Sequence, residues 1–579
     1  MYAGTDQILW SAATASGPVS IVNGILLAGS TNGRGTYAMD AVWENPMVIQ
    51  HRSDCVWRCL YSSWNSISHE YSHQEPADWL NHGGDLYNRR YASSETKISP
   101  ETVSKLSLKW EFYAGQDITA TPAIFNGTLY FPSWNGYLYA VKATDGSLVW
   151  KQNLQMLTGL NGTGLIVNVN WTVSRSTPTM ADDMLIVGIY GPAVVIAVEQ
   201  ATGRLVWSTR LDSNPTGIVT MSGTFHKGAF YVGTSSVEEE LSIEQCCVFR
   251  GSLSKLDIKT GVILWQTFTL PDNHGKRGEY AGAAIWGSSP SIDVRRNLVY
   301  VATGNLYSAP LNIRECQEQQ NNQTAPTQTD QCIEPDNHSN SILAFELDSG
   351  KIKWYRQLGG YDLWFFACNN LSTPNCPPGP SPDADFGEAP IMLSINLNGT
   401  MWDVVSAVQK SGFAWALDRY NGSLVWSTEA GPGGLTGGGT WGAATDNKRV
   451  YTNIANSDSK NFTLKPSEKN TTAGGWVAMD ASTGKILWST ADPSNATSNG
   501  PVTIANGVLF GGSTHPTGPI YAMDARSGKI LWSHNTGATV YGGISVSNGC
   551  IYLGNGYKVN LGSFTASFTN GTSLFAFCV

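Results

Sequence analysis

Apolar and polar positions alternate along most of the chain in short runs, each interrupted by a glycine-bearing turn and resumed on the way to a tryptophan. The phrase is cleanest at Tyr521–Trp532, YAMDARSGKILW. It recurs as YAVKATDGSLVW from Tyr139, IAVEQATGRLVW from Ile196, SKLDIKTGVILW from Ser254, LAFELDSGKIKW from Leu343, WALDRYNGSLVW from Trp415 and VAMDASTGKILW from Val477. Period-two alternation buries one face of a strand, and Gly supplies the positive φ of a tight hairpin turn. A tryptophan at one fixed place in every hairpin predicts a plug between neighbouring units, none of which has a complete core alone. Repeats of this kind read as propeller blades.

Three-strand sets begin near Ala120, Thr177, Thr220, Ser288, Ala389, Gly442, Gly500 and Gly542, and all but the last are followed by their own Trp strand. The last set ends the chain at SLFAFCV, while LSLKWEFYAG (Leu106–Gly115) looks like a Trp-bearing final strand without its first three. Pairing the two ends removes an exposed sheet edge. The prediction is an all-β, eight-bladed propeller over 77–579, its ring closed by residues 106–112. Residues 1–41 echo the stretch from Gly484 and predict a surplus partial blade cut off after its third strand, the mark of a tandem fusion or a gene-model join, with a genuine N-terminal extension as the alternative. Residues 42–76 show neither repeat nor periodicity and predict an irregular linker. Two long loops, 308–340 and 368–384, each hold cysteine and predict pinned caps on one face.

Composition supports the β reading: 61 Gly and 21 Trp in 579 residues, with charged residues at only 14%. A formal charge of −9 without basic runs argues against a nucleic-acid partner, and no apolar run is long enough for a membrane-spanning helix. The ten cysteines fall into local pairs, Cys55/Cys59, Cys246/Cys247, Cys316/Cys332, Cys368/Cys376 and Cys550/Cys578, which suits disulfides. None has the Cys-x-x-Cys-His spacing of a haem attachment site. Twelve Asn-x-Ser/Thr sequons point the same way, to a secreted glycoprotein, although MYAGTDQILWSAATASG lacks the basic and apolar regions of a signal peptide.

Loops of a propeller converge on its central channel, so polar residues at several blade tips can form one site. Four stretches depart from ordinary blade turns: YVGTSSVEEE (Tyr231–Glu240), AIWGSSPSID ending at Asp293, VATGNLYSAP from Val301 and VQKSGFAWALDR from Val408. With DADFGEAP (Asp383–Pro390) they bring together carboxylates, an amide, a lysine and a tryptophan.

The repeat and these tips together resemble the quinoprotein alcohol dehydrogenases, which bind pyrroloquinoline quinone (PQQ) and usually Ca²⁺. Within that group they are similar to the polyvinyl-alcohol-dehydrogenase-like proteins, including secreted plant members, from about Asp78 to Val579. The resemblance implies metal ligation by Glu238 in VGTSSVE and Asn305 in ATGN; a carboxylate with an amide oxygen is hard-donor chemistry suited to Ca²⁺. It implies Ser235 beside the quinone, Trp286 as the flat aromatic floor beneath it, and Lys410 stabilising negative charge on its oxygens. Arg175, in VSRSTPT, would take a cofactor carboxylate; Trp441 joins the cofactor-binding set, and the vicinal Cys246–Cys247 would cap the cofactor face.

The family's general base is an Asp before an aromatic residue, which fits Asp385–Phe386. A second alignment, through GGYDLWFFAC, puts Phe365 at that position and leaves Asp362 nearby. A base must be an ionised carboxylate within hydrogen-bond reach of the alcohol. Thr119, in ITATP, stands where the family usually has a glutamate. The expected function is a secreted PQQ- and Ca²⁺-dependent oxidoreductase acting on a small-molecule or polymeric alcohol, with an external electron acceptor. The competing expectation is a catalytically silent secreted propeller acting as a binding module, since a shared fold does not confer activity.

Overall fold

In the computed structural model the described residues are 78–579, apart from 164–165, 167, 243, 321–331, 333–334, 360–361 and 366–382, together with four strands nearer the N-terminus. The chain divides into two compact units, Met1–Glu75 and Pro76–Val579. The four strands of the first unit, Val19–Val22, Ile25–Gly29, Gly35–Asp40 and Met47–Gln50, form one antiparallel sheet in chain order. This corrects the expected three-strand fragment: MVIQ, in the segment read as irregular linker, pairs with Gly35–Ala38 as a fourth strand. Four residues are too few to register as a period.

The second unit is an eight-bladed propeller. Its sheets begin at Ala123–Phe125, Thr179–Ala181, Thr224–His226, Ser291–Asp293, Ile391–Leu397, Ala444–Thr445, Thr503–Ala505 and Ser545–Ser547, here blades 1 to 8. Blade 8 takes its outermost strand, Ser107–Tyr113, from the other end of the unit, antiparallel to Ser573–Cys578, which is the ring closure expected from sequence. A disulfide between Cys550 and Cys578 ties the two preceding strands of that blade together.

Tryptophans join the blades in an unbroken circuit. The indole N–H of each outer strand donates to a carbonyl of the next blade: Trp110 to Ala143, Trp150 to Gln200, Trp207 to Ile258, Trp265 to Leu347, Trp354 to Arg419, Trp426 to Ala481, Trp488 to Ala525 and Trp532 to Leu106, all at 2.8–3.1 Å. The turn glycine of the repeat is needed twice over. Gly146, Gly203, Gly261, Gly350, Gly422, Gly484 and Gly528 have φ between +69° and +72°, where a side chain is strained, and a Cβ on any of them would lie 2.4–2.8 Å from the docked indole of the preceding blade. Glycine is the floor on which tryptophan sits.

A strap outside the repeat, residues 79–92, runs across the innermost strands. Its backbone pairs with Ile124, Met180, Ile292, Met392, Thr445 and Ile504, in the first strands of blades 1, 2, 4, 5, 6 and 7. Arg90, wholly buried, donates to the carbonyls of His82 and Val502 and to Thr503 Oγ1. The strap doubles back at Gly83–Gly84, where the Arg90 N–H reaches the Gly83 carbonyl.

The region 308–340, expected to be a structureless loop, contains a helix, Leu311–Gln320, and the Cys316–Cys332 disulfide. Pro310 sets up its first turn, and a Glu/Gln-rich sequence of good helix formers continues it with little apolar periodicity to reveal it. The pairs Cys55/Cys59 and Cys368/Cys376, and most of loop 368–384, lie outside the described residues.

Candidate functional site

Glycines make room for the site. A Cβ on Gly304 would lie 2.5 Å from Asp385 Oδ1, one on Gly387 2.6 Å from the Trp286 ring, and one on Gly287 1.9 Å from the Gly387 carbonyl oxygen. These three positions let the ATGN, DADFGEAP and AIWGSSPS segments of blades 4 and 5 close together, with the half-buried Trp286 ring between them.

Above that ring stands a largely buried lysine, its side chain 12% exposed. Lys410 Nζ lies 5.4 Å from the Trp286 ring centroid and 2.9 Å from Oδ2 of both Asp383 and Asp385. Burial opposes its charge, but Asp383, Asp385 and Glu239 hold the ammonium well above its ordinary range. Asp385 Oδ1 accepts the Asn305 N–H at 2.6 Å, so both its oxygens are held. Asp362, the alternative base, accepts the N–H groups of Asp383 and Ala384 and the Asn340 amide, and burial pushes it up to about 6. Its carboxylate fixes the segment that carries Asp385. Phe365 is buried beside the vicinal cysteines.

Trp441 meets Trp286 edge-on, centroids 4.9 Å apart at 77°, and the Arg175 guanidinium lies 4.1 Å over the Trp441 ring. Arg175 is also within 5.5 Å and 5.9 Å of the Tyr557 and Tyr541 rings. His82, Thr119, Arg175, Thr220, Ser288, Trp441 and Tyr541 line a cavity at the head of the channel. Thr119 there accepts the Trp134 indole N–H. Cys246 and Cys247 form a disulfide that packs with Phe249, Tyr307 and Phe365 against Trp286. Eight of the expected residues, Arg175, Trp286, Asn305, Asp385, Lys410, Trp441, Cys246 and Cys247, thus share one neighbourhood. Ser235 lies apart from these contacts, buried in a two-residue strand against Gly217–Ile218.

The EEE run divides its carboxylates. Glu238 Oε2 accepts the Val248 and Phe249 N–H groups at 2.9 and 2.7 Å, staples the loop that follows the vicinal cysteines, and has its pKa raised by burial. For the next residue, Glu239, burial and the Asp385 charge raise the pKa while Lys410 opposes them. Glu239 and Asp383 are the site carboxylates that motif reading missed. A lone motif match cannot tell which of three consecutive acids turns inward, and Asp383 is signalled only by its spacing of two from Asp385.

A hard cation fits part of this arrangement. Asn305 Nδ2 donates to the Leu306 and Trp364 carbonyls, which leaves its oxygen as the end offered to a ligand. With a neighbouring carboxylate that is one amide oxygen and one anionic oxygen. Among the described residues no group of three or more His, Cys, Asp or Glu side chains is arranged to hold a metal, so a cation would draw its remaining ligands from elsewhere.

A family model described as "Outer membrane protein assembly factor BamB" (PQQ_2) matches residues 98–356 and 410–557. The chain is 29% identical over 393 residues to a polyvinylalcohol dehydrogenase of Pseudomonas sp, covering 66% of this chain and 55% of that protein. It is 28% identical over 401 residues to a second, from Sphingopyxis sp. (strain 113P3), covering 67% and 55%. The chain therefore spans about half the length of the curated relatives it matches. The quinohemoprotein alcohol dehydrogenase structure from Comamonas testosteroni superposes with a TM-score of 0.66 at 19% identity, covering 89% of this chain and 82% of that one, a likeness of fold.

Proposed function

Because the chain belongs to this PQQ_2 family of propeller repeats, among the PQQ-dependent alcohol dehydrogenase-like proteins, we propose that it is an alcohol oxidoreductase that uses PQQ. One observation carries the reading: a largely buried ammonium, flanked by two carboxylates, lies 5.4 Å over the Trp286 indole.

Each side chain has a part to play. Trp286 offers a flat apolar floor, and Trp441 walls one edge of it. Arg175, held over Trp441, would bind a cofactor carboxylate. Lys410 would hold its positive charge at the site, where it could stabilise negative charge developing on a bound quinone. When bound, PQQ supplies the acceptor for the hydride that leaves the alcohol carbon. Asp385, oriented by the Asn305 N–H and Lys410, keeps lone pairs free to accept the hydroxyl proton. Asp362 positions Asp385 through the preceding amides. Ca²⁺ would be held by the Asn305 oxygen and Glu239, with Glu238 serving the fold beside it.

A groove leads from Lys410 and Trp364 past Gly431–Leu435 to Phe462, and this supports a small or polymeric alcohol as substrate. Electrons leave to an external acceptor. Secretion is supported by the Cys316–Cys332 and Cys550–Cys578 disulfides and by the exposed sequon asparagines such as Asn126, Asn398, Asn421 and Asn461. A silent binding propeller is the second reading, favoured by Thr119 in the cavity wall and by the short donor set for a metal.

The test uses the full chain with Ca²⁺ and PQQ, read by quenching of tryptophan emission and by alcohol-dependent dye reduction. Both signals are expected. Quenching without dye reduction selects the binding module, and neither signal refutes the quinone reading.

A further inference from the structure

Trp441, which walls the site, has an unusual backbone. Its φ is +67°, a left-handed conformation that bulky residues rarely adopt. Both of its backbone polar groups are held by residues far away in the chain. The N–H donates to the Gly387 carbonyl at 2.9 Å, and the carbonyl accepts from His82 Nε2 at 2.6 Å. The indole N–H in turn donates to the Tyr541 hydroxyl at 2.9 Å, and the ring rests between Trp286 and Arg175.

His82 belongs to the strap, not to any blade. A carbonyl only accepts, so Nε2 carries the proton and Nδ1 faces the Thr121 and Thr177 hydroxyls at 3.2 and 3.5 Å. Burial and the nearby Arg90 and Arg175 charges favour this neutral ring. Arg90 donates to the His82 carbonyl at 2.5 Å, which fixes the residue from behind. His82 also lines the cavity head together with Trp441.

We propose that His82 is a positioning residue of the cofactor seat: its Nε2–H holds the Trp441 carbonyl in the left-handed conformation that sets the indole between Trp286 and Arg175. The inference rests on the quinone reading above for its binding consequence, and on the apo protein for its structural one. Without the donor, a buried carbonyl loses its partner. The Trp441 peptide then turns toward an ordinary backbone region, and the ring leaves the Trp286 edge. A histidine that merely filled space would affect stability and nothing else.

Three variants of the full chain separate these roles. In His82→Gln the amide nitrogen reaches as far as imidazole Nε2; in His82→Asn it stops short; His82→Ala has no donor. Far-UV circular dichroism reports the fold, near-UV circular dichroism of the apo protein reports the Trp286–Trp441 pair, and PQQ titration by tryptophan quenching reports the seat. His82→Asn and His82→Ala should keep the propeller, change the near-UV tryptophan bands and weaken PQQ by about tenfold, the weight of one buried hydrogen bond. His82→Gln should retain the wild-type bands and affinity. Equal behaviour of the Gln and Asn variants, or wild-type bands in His82→Ala, overturns the proposal. If His82→Ala does not fold, the Gln and Asn pair decides; if none of the three folds, the residue is a core histidine and the proposal fails. A wild type that does not bind PQQ refutes the quinone reading instead, and the near-UV bands still decide the role of His82.

Discussion

Two glycines of blade 3 isolate what tryptophan docking demands of the repeat. Gly261 and Gly228 have φ of +72° and +73°, so Ala strains the backbone equally at both. Nothing lies within 4 Å of a Cβ on Gly228, whereas one on Gly261 would be 2.6 Å from the Trp207 ring and 2.7 Å from Thr209 Oγ1. Left-handed strain for Ala costs about 1–2 kcal/mol, offset by about 0.4–1 kcal/mol from the stiffer unfolded chain. Gly228→Ala should therefore lose about 1 kcal/mol. Gly261→Ala adds overpacking of about 1–3 kcal/mol, because the Trp207 indole is pinned to the Ile258 carbonyl and cannot retreat freely. Urea unfolding followed by tryptophan emission and far-UV circular dichroism measures both losses. In a Trp207→Leu background the extra cost at Gly261 should largely disappear, a coupling expected only of residues in contact. Equal losses at the two glycines, or strictly additive losses in the double variant, would refute the docking account.

Further outcomes follow from the charges and crosslinks. Asp403 is opposed by burial but drawn down to about 2 by hydrogen bonds from Ser394 and Arg296 and by the Arg419 and Arg296 charges. A depressed carboxylate stabilises the fold above its unfolded pKa and loses that contribution as pH falls toward 2. Asp403→Asn should thus be less stable than wild type at pH 7, with the difference closing between about pH 4 and 2 in acid unfolding curves. Lys410→Met leaves Asp383 and Asp385 facing each other without their cation and should cost about 3–5 kcal/mol in urea at pH 7; adding Asp383→Asn should recover part of it. Replacing Cys550 and Cys578 by Ser should lower stability by about 2–4 kcal/mol, visible as a melting temperature below that of the wild type under non-reducing conditions.

The propeller was legible because its two defining residues obey local physics. A turn glycine and an outer-strand tryptophan recur at fixed spacing. Seven of the eight contacts between blades are such a pair, the eighth being Trp532 against Leu106 at the start of the closing strand, so counting them counts blades. The closing strand followed from one orphan copy, LSLKWEF. The site was legible where a motif has one chemical residue, as at Trp286, Asn305, Lys410 and Asp385. It was not legible where several like residues adjoin: within Glu238–Glu240 a short helical turn sends neighbours in different directions, and sequence alone cannot say which carboxylate meets Lys410. Asp383 and His82 were missed for another reason. Their roles arise from contacts across sequence separations, Asp383 through a lysine in a turn 27 positions later and His82 through a carbonyl 359 positions away. The helix Leu311–Gln320 and the strand Met47–Gln50 escaped because neither has enough apolar residues to display a period.

The strap has a consequence for the order in which the protein can be completed. Arg90 finds its partner Thr503 413 positions later in the chain. At about 5–20 residues per second of synthesis, the strap waits roughly 20–80 s for the strand it binds. The closing strand Ser107–Tyr113 waits longer still, for Ser573–Cys578. Through that interval both segments hold unmet backbone donors and acceptors beside a row of finished blades. The first folded-body residues off the ribosome are the last to be satisfied, and the nascent ring stays open at hub and rim until its final blade arrives.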